Sequence, residues 1–138
     1  MKRRKIFLPL IFFIISLLSL SCKENPVERT LVVAAAGNLI NSNFQSTILR
    51  CELLFDGSVI GSANFSQAAA GATLSGSLTS VKKGSHSIAF KIASQSSSPN
   101  TYETVGANVV AGNNTYRLTD QRKSLATGES ITFTIDLQ

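Results

Sequence analysis

The sequence predicts an all-β fold, a single antiparallel β-sandwich of about seven to eight strands over residues 30–138. The clearest strand lies at the C-terminus, where every second residue is apolar: Ile131, Phe133, Ile135 and Leu137. Turn-forming residues recur at intervals of about 8–12 residues, a spacing typical of sandwiches with short strands. No stretch beyond residue 30 has a helical period. We therefore expect two packed antiparallel layers.

The first half of this domain contains strand patterns joined by a tight turn. Residues 31–35 form a short apolar run, and residues 47–55 alternate, with one face formed by Leu49, Cys51, Leu53 and Phe55. Asp56-Gly57 supplies the turn, because Gly adopts positive φ without strain. The returning strand, residues 59–65, has the predicted inner face Val59, Ala63 and Phe65. A two-residue loop would instead turn Ile60 inward.

The second half of the domain also contains alternating strand segments joined by turns. Residues 73–80 place Leu74 and Leu78 inward, and residues 85–93 have an inner face of His86, Ile88, Phe90 and Ile92. Residues 102–110 follow, with the predicted inner face Val105, Ala107 and Val109. Gly112–Asn114 then turns the chain into Tyr116 and Leu118. The hairpin stretch from Val81 to Ile88 resembles immunoglobulin-like and jelly-roll modules, and implies a sandwich of one of these types.

The N-terminal segment predicts export. A positive start, Lys2–Lys5, precedes an almost entirely apolar run over residues 6–20, and small residues Ser19 and Ser21 stand just before Cys22. A helix over residues 6–20 would span about 22 Å, against roughly 30 Å of bilayer hydrocarbon. This length disfavours a permanent transmembrane helix, so we expect a helical signal peptide over residues 1–21 that is removed.

The end of this segment resembles the lipobox of bacterial lipoproteins, over residues 1–22. The resemblance implies that Cys22 is acylated, becomes the new terminus and anchors the chain in membrane lipid of the cell envelope, with the outer membrane as the expected location. The family favours Leu three places before the cysteine, where this chain has Ser19. Ordinary secretory cleavage, which would leave Cys22 as a free thiol, stays open. Residues 22–29 are mostly polar, which predicts a short tether between the lipid anchor and the folded domain.

Charge and cysteine content narrow the possible partners. Four of the 13 basic residues lie in the signal, so the mature chain carries nine basic against eight acidic residues. Binding of nucleic acid needs a cluster of basic residues, and a nearly neutral mature chain does not indicate one. We therefore expect no nucleic-acid partner. With Cys22 acylated, Cys51 has no disulfide partner, and its strand position predicts a buried, unreactive thiol.

The inventory of reactive residues disfavours an enzyme. His86 is the only histidine, and no acid stands near it in the sequence at a triad spacing. Glu52 and Asp56 lie on one strand but about 13 Å apart by strand rise, too far for paired acid–base work. Neither a metal-ligand cluster nor a phosphate-binding glycine loop is present in the sequence. We expect no catalysis, no cofactor and no metal.

Three aromatic residues remain as candidate anchors of a binding surface: Phe44, Tyr102 and Tyr116. Capping of the open ends of the sandwich explains the same residues. We expect a lipid-anchored, non-catalytic domain for binding or adhesion at the cell surface, with an unidentified protein or glycan partner. The alternative is an accessory or structural subunit of a membrane complex that faces the periplasm.

Overall fold

The computed structural model describes residues 29–41, 48–66, 71–96 and 99–138. These residues contain nine strands and no helix, which confirms the predicted all-β class. The strands are β1 (Leu31–Asn41), β2 (Ile48–Phe55), β3 (Ser58–Ser66), β4 (Gly71–Val81), β5 (Gly84–Ser94), β6 (Asn100–Ala111), β7 (Asn114–Arg117), β8 (Arg122–Leu125) and β9 (Ser130–Leu137). The predicted signal peptide, Cys22 and most of the tether lie outside the described residues.

The strands form two antiparallel sheets that pack face to face, as the sequence predicts. Sheet 1 has the order β4-β1-β6, with both β7 and β8 pairing with the far edge of β6. Sheet 2 has the order β3-β2-β5-β9. The count exceeds the expected seven to eight because β7 and β8, of four residues each, share one edge.

One continuous core lies between the sheets. Its largest fully buried side chains come from both layers: Tyr102, Phe90, Leu39, Leu53, Leu74, Ile88, Ile92, Leu125, Ile131, Leu137 and Val33. The predicted inner faces of β5 and β9 are confirmed, since Ile88, Phe90 and Ile92 are buried together with Ile131 and its alternate neighbours in β9. Burial of these apolar side chains is the main stabilising contribution to such a fold.

Two glycines close one side of the sandwich. A Cβ atom added to Gly61 in β3 would overlap the carbonyl oxygen of Ser75 in β4, and one added to Gly76 would overlap the carbonyl oxygen of Ile60. The absence of side chains at both positions lets the two backbones approach directly. The edge strands β3 and β4 therefore lie against each other, whereas β9 and the pair β7 and β8 end the two sheets on the opposite side.

A bulge in β3 corrects the predicted inner face of that strand. Asp56-Gly57 forms a two-residue turn, so Phe55 pairs with Ser58 and Leu54 with Val59. The register then shifts by one residue at Ile60. Val59 consequently points to solvent and is 53% exposed, whereas Ile60 packs partly against the core.

A second bulge, in β6, corrects the prediction for Tyr102. Ala36 in β1 pairs with Asn108 while Asn38 pairs with Val105, so one residue of β1 faces two residues of β6. Because the side-chain period of a strand is two, an extra residue reverses which face the preceding residues occupy. Tyr102 therefore points inward and is 0% exposed, so it is not an exposed binding anchor.

Candidate functional site

The β6 bulge creates a polar feature at the edge of sheet 1. Gly106 adopts φ +64°, a conformation that suits glycine, and the bulge directs its N–H away from regular strand pairing. The Asp120 carboxylate accepts that N–H at 3.0 Å, and the Asn108 side-chain amide donates to the Gly106 carbonyl at 3.1 Å. The main-chain N–H and C=O of Gly106 thus form hydrogen bonds with side chains that lie beside the bulge.

The segment between β7 and β8 is held against the same part of β6. The Leu118 N–H donates to the Ala107 carbonyl at 2.9 Å, next to the bulge. Further along, Thr104 and Gln121 bond reciprocally: the Thr104 N–H donates to the Gln121 carbonyl at 2.9 Å, and the Gln121 N–H donates to the Thr104 hydroxyl at 3.0 Å. Asp120 is therefore fixed in position by main-chain bonds on both sides of it.

These elements line an open groove, which we call the β6 groove. Its lining consists of Gly106, Ala107, Asn108, Thr115, Arg117, Leu118, Thr119 and Asp120. The volume is about 560 Å³, within the roughly 300–1,000 Å³ typical of small-molecule sites. Arg117 and Asp120 are exposed and of opposite charge, and the two threonines and the asparagine add hydrogen-bonding groups. The lining offers hydrogen-bonding groups and both charges, and it contains no histidine or cysteine.

His86 lies in a separate cluster that joins two turns at one end of sheet 2. Its Nδ1 lies 2.7 Å from Asp56 Oδ2, and its Nε2 lies 2.9 Å from the Lys82 carbonyl oxygen. The other Asp56 oxygen accepts the Ser87 N–H at 2.8 Å, and the Phe55 ring packs 5.0 Å from the imidazole. The sequence did not predict an acid partner for His86, because Asp56 lies thirty residues away in the chain. The two side chains meet through strand register. Pairing of β2 with β5 places Phe55 opposite Ile88, which brings the next residue, Asp56, to Ser87 and His86.

The geometry determines the charge of this cluster. Both ring nitrogens face acceptors, and a neutral imidazole can donate to only one of them, so the contacts favour the imidazolium form. The Asp56 hydrogen bond, opposed by burial and helped by the Lys82 carbonyl, raises the pKa of His86. Burial alone would raise the pKa of Asp56, but hydrogen bonds from His86 and Ser87 lower it overall. His86 thus links the turn at Asp56 to the turn at Lys82, with both ring nitrogens engaged in hydrogen bonds.

The two predicted binding aromatics within the described residues, Tyr102 and Tyr116, do not form an exposed surface together. Tyr102 donates its hydroxyl to Gln95 Oε1 at 2.8 Å inside the core, where burial raises its pKa to about 12. Tyr116 is half-buried against the core, and its hydroxyl accepts the Gln138 N–H at 3.1 Å. Phe44 and the predicted lipidation site, Cys22, lie outside the described residues.

Cys51 is buried, as the sequence predicts. Its side chain is 0% exposed, and its thiol donates to the Ala63 carbonyl at 3.4 Å. Burial raises the pKa of this thiol to about 11, which leaves almost none of the reactive thiolate at neutral pH.

Among the described residues, no three histidine, cysteine or acidic side chains lie close enough together to hold a metal ion. Over the same ranges, no helix has the length and apolar character needed to cross a bilayer. No family model, no curated protein and no solved structure matches the chain.

Proposed function

We propose that this chain is a lipid-anchored protein of the bacterial cell envelope whose β-sandwich binds a protein or glycan partner at the cell surface without catalysis. The β6 groove supports the binding role, because it combines a suitable size with exposed groups of both charges. A ligand rich in hydroxyl groups can pair with Arg117, Asp120 and the neighbouring amide and hydroxyls at the same time.

The His86 cluster supports a role without catalysis. Both imidazole nitrogens are engaged by Asp56 and Lys82, and the Ser87 hydroxyl lies 3.5 Å from Asp56 rather than beside the imidazole. A general base needs a nitrogen within reach of the proton that it removes. The described arrangement uses both nitrogens for fold contacts instead.

The lipid anchor rests on the signal-like segment that ends at Cys22. Membrane attachment through acyl chains fits a mature chain that is nearly neutral, because such a chain has little electrostatic attraction to anionic lipid. Cys22→Ser should abolish acyl labelling and release the protein from membranes. Mass spectrometry that finds an unmodified Cys22 terminus in the wild-type protein would contradict the anchor.

Protease treatment of intact cells tests the surface location. We expect the wild-type protein to be degraded while a periplasmic marker protein is retained. Full protection of the protein would contradict surface display and would favour a periplasm-facing accessory subunit.

The groove is tested separately with immobilised neutral and acidic oligosaccharides. We expect at least one of these immobilised oligosaccharides to retain the full chain, and we expect Arg117→Gln to weaken that binding. Arg122→Gln is the matched control, since Arg122 is also exposed but lies outside the groove lining. Equal losses in both variants, or no binding by the wild-type chain, would contradict a glycan-binding role for the groove.

A further inference from the structure

The last strand, β9, ends sheet 2 with an open edge. It pairs with β5 on one side, from Ser130 to Leu137, and no described strand pairs with its other side. Unpaired strand edges commonly carry a proline, a lysine or a bulge that prevents further pairing. β9 has no proline, lysine or bulge, Asp136 is its one charged residue, and its register with β5 is regular throughout.

The hydrogen-bonding direction along this edge follows from the neighbouring strand. The Ser87 carbonyl accepts the Asp56 N–H, so Ser87 directs its main-chain groups toward β2. Thr134 stands opposite Ser87, and its own N–H and C=O therefore point away from β5. Thr132 and Asp136 have the same parity and present their main-chain groups along the same open edge.

Side chains from sheet 1 occupy the two ends of this edge. Lys123 donates to the Ser130 carbonyl at 3.3 Å, and the Tyr116 hydroxyl accepts the Gln138 N–H at 3.1 Å. Ser130 and Gln138 lie equally far from Thr134 along the chain. The open part, residues 132–136, is thus centred on Thr134.

We propose that a second copy of this chain pairs with β9 in antiparallel orientation, with the two-fold axis at Thr134. A two-fold axis at Thr134 lets all of the open residues 132–136 of each copy pair at once, whereas a shifted register would leave some of them unpaired. In this register Thr134 faces its own copy, Thr132 faces Asp136, and Phe133 faces Ile135. Thr–Thr and aromatic–β-branched pairs are favourable across strands, and no like charges stand opposite each other.

The antiparallel orientation also separates the two Asp136 carboxylates, which a parallel pair would bring together. Antiparallel pairing carries Asp136 of each copy toward the end of the other strand, where Lys123 of the second copy binds Ser130. A parallel pair would instead place Asp136 beside its own equivalent. The antiparallel pair adds about six main-chain hydrogen bonds between residues 132–136 of the two copies.

Cysteine cross-linking of the full chain in its native membranes tests the register. In the proposed pair, the two Thr134 Cα atoms lie about 5.5 Å apart, within the range of a disulfide. The two Thr132 Cα atoms lie about 13 Å or more apart, which a disulfide cannot span. Under mild oxidation, Thr134→Cys should form several times more covalent dimer than Thr132→Cys. These variants are matched, since both threonines are exposed on one strand, and Cys51 is buried in both. Equal dimer yields would overturn the proposal.

Sedimentation velocity of the full chain in detergent provides a second measurement without cysteines. The wild-type chain should sediment as a dimer, and Thr134→Pro should sediment as a monomer with an unchanged circular dichroism spectrum. Proline removes the N–H that points away from β5, so pairing with β5 is retained. A monomeric wild-type chain, or a Thr134→Pro dimer, would overturn the proposal. Loss of the spectrum in Thr134→Pro would show that the N–H serves the fold itself, which also contradicts the assigned edge.

Discussion

Removal of one buried hydroxyl, by Tyr102→Phe, tests the corrected orientation of β6. The Tyr102 side chain is 0% exposed, and its hydroxyl donates to Gln95 Oε1 at 2.8 Å. The same oxygen accepts the Asn100 amide at 3.2 Å, and the Gln95 amide donates to the Leu125 carbonyl at 3.1 Å. This network connects the start of β6 to β8 and to the segment that follows β5.

The expected loss of stability follows from these contacts. A neutral hydrogen bond contributes about 0.5–1.5 kcal/mol net, and Gln95 Oε1 keeps the Asn100 donor after the substitution, so no buried acceptor is left without a partner. We therefore expect Tyr102→Phe to lower the free energy of unfolding by about 1 kcal/mol. For a domain of this size, the melting temperature should fall by about 5 °C.

Urea denaturation followed by far-ultraviolet circular dichroism measures this change, since the chain has no Trp to serve as a fluorescent probe. Tyr116→Phe is the matched control, because the chain has two tyrosines and Tyr116 is only half-buried. It should cost less than about 0.5 kcal/mol, because water can replace the Tyr116 contact with Gln138. Equal losses, or a larger loss for Tyr116→Phe, would refute the assignment of Tyr102 to the core.

Gly61→Ala should lower the free energy of unfolding by more than about 2 kcal/mol in the same urea assay, because its Cβ would overlap the Ser75 carbonyl oxygen. Native Cys51 should resist a thiol reagent until urea unfolds the chain, as mass spectrometry of the labelled peptide will show; rapid native labelling would contradict its burial. The ion pair of His86 and Asp56 should stabilise the fold fully between pH 3.8 and 6.5. This stabilisation should fade as pH rises through the raised pKa of His86, and it should also fade as pH falls through the lowered pKa of Asp56. The stability difference between the wild type and Asp56→Asn should therefore be largest between pH 3.8 and 6.5, and a difference independent of pH would contradict the ion pair.

Strand periodicity predicted the inner face correctly wherever pairing was regular. In β9 every predicted inward residue is buried, because its register with β5 has no irregularity. In β6 the same reasoning wrongly placed Val105 on the inner face together with Ala107 and Val109. The bulge beside Gly106 reverses the alternation, so Tyr102 and Thr104 are buried and Val105 is only half-buried. An isolated glycine inside a strand pattern is a known sign of a bulge, so Gly106 was the available signal.

The contacts of His86 show a different limit. Its place at the start of a strand was correct, but Asp56 lies thirty residues earlier, in the turn of another hairpin. Only the pairing of β2 with β5 brings the two side chains together. The β6 groove has the same origin, since Asp120 reaches Gly106 only because the chain between β7 and β8 folds back across β6.

The sequence by itself determined the all-β class and the buried faces of the regular strands, because alternation of apolar residues reflects a local geometric period of two. It also indicated that Cys51 is buried without a disulfide. Only the tertiary structure decided the bulges, the partners of His86, the β6 groove and the open edge of β9. Each of these depends on register between segments far apart in the chain, and register is set by the simultaneous packing of both sheets rather than by any one strand.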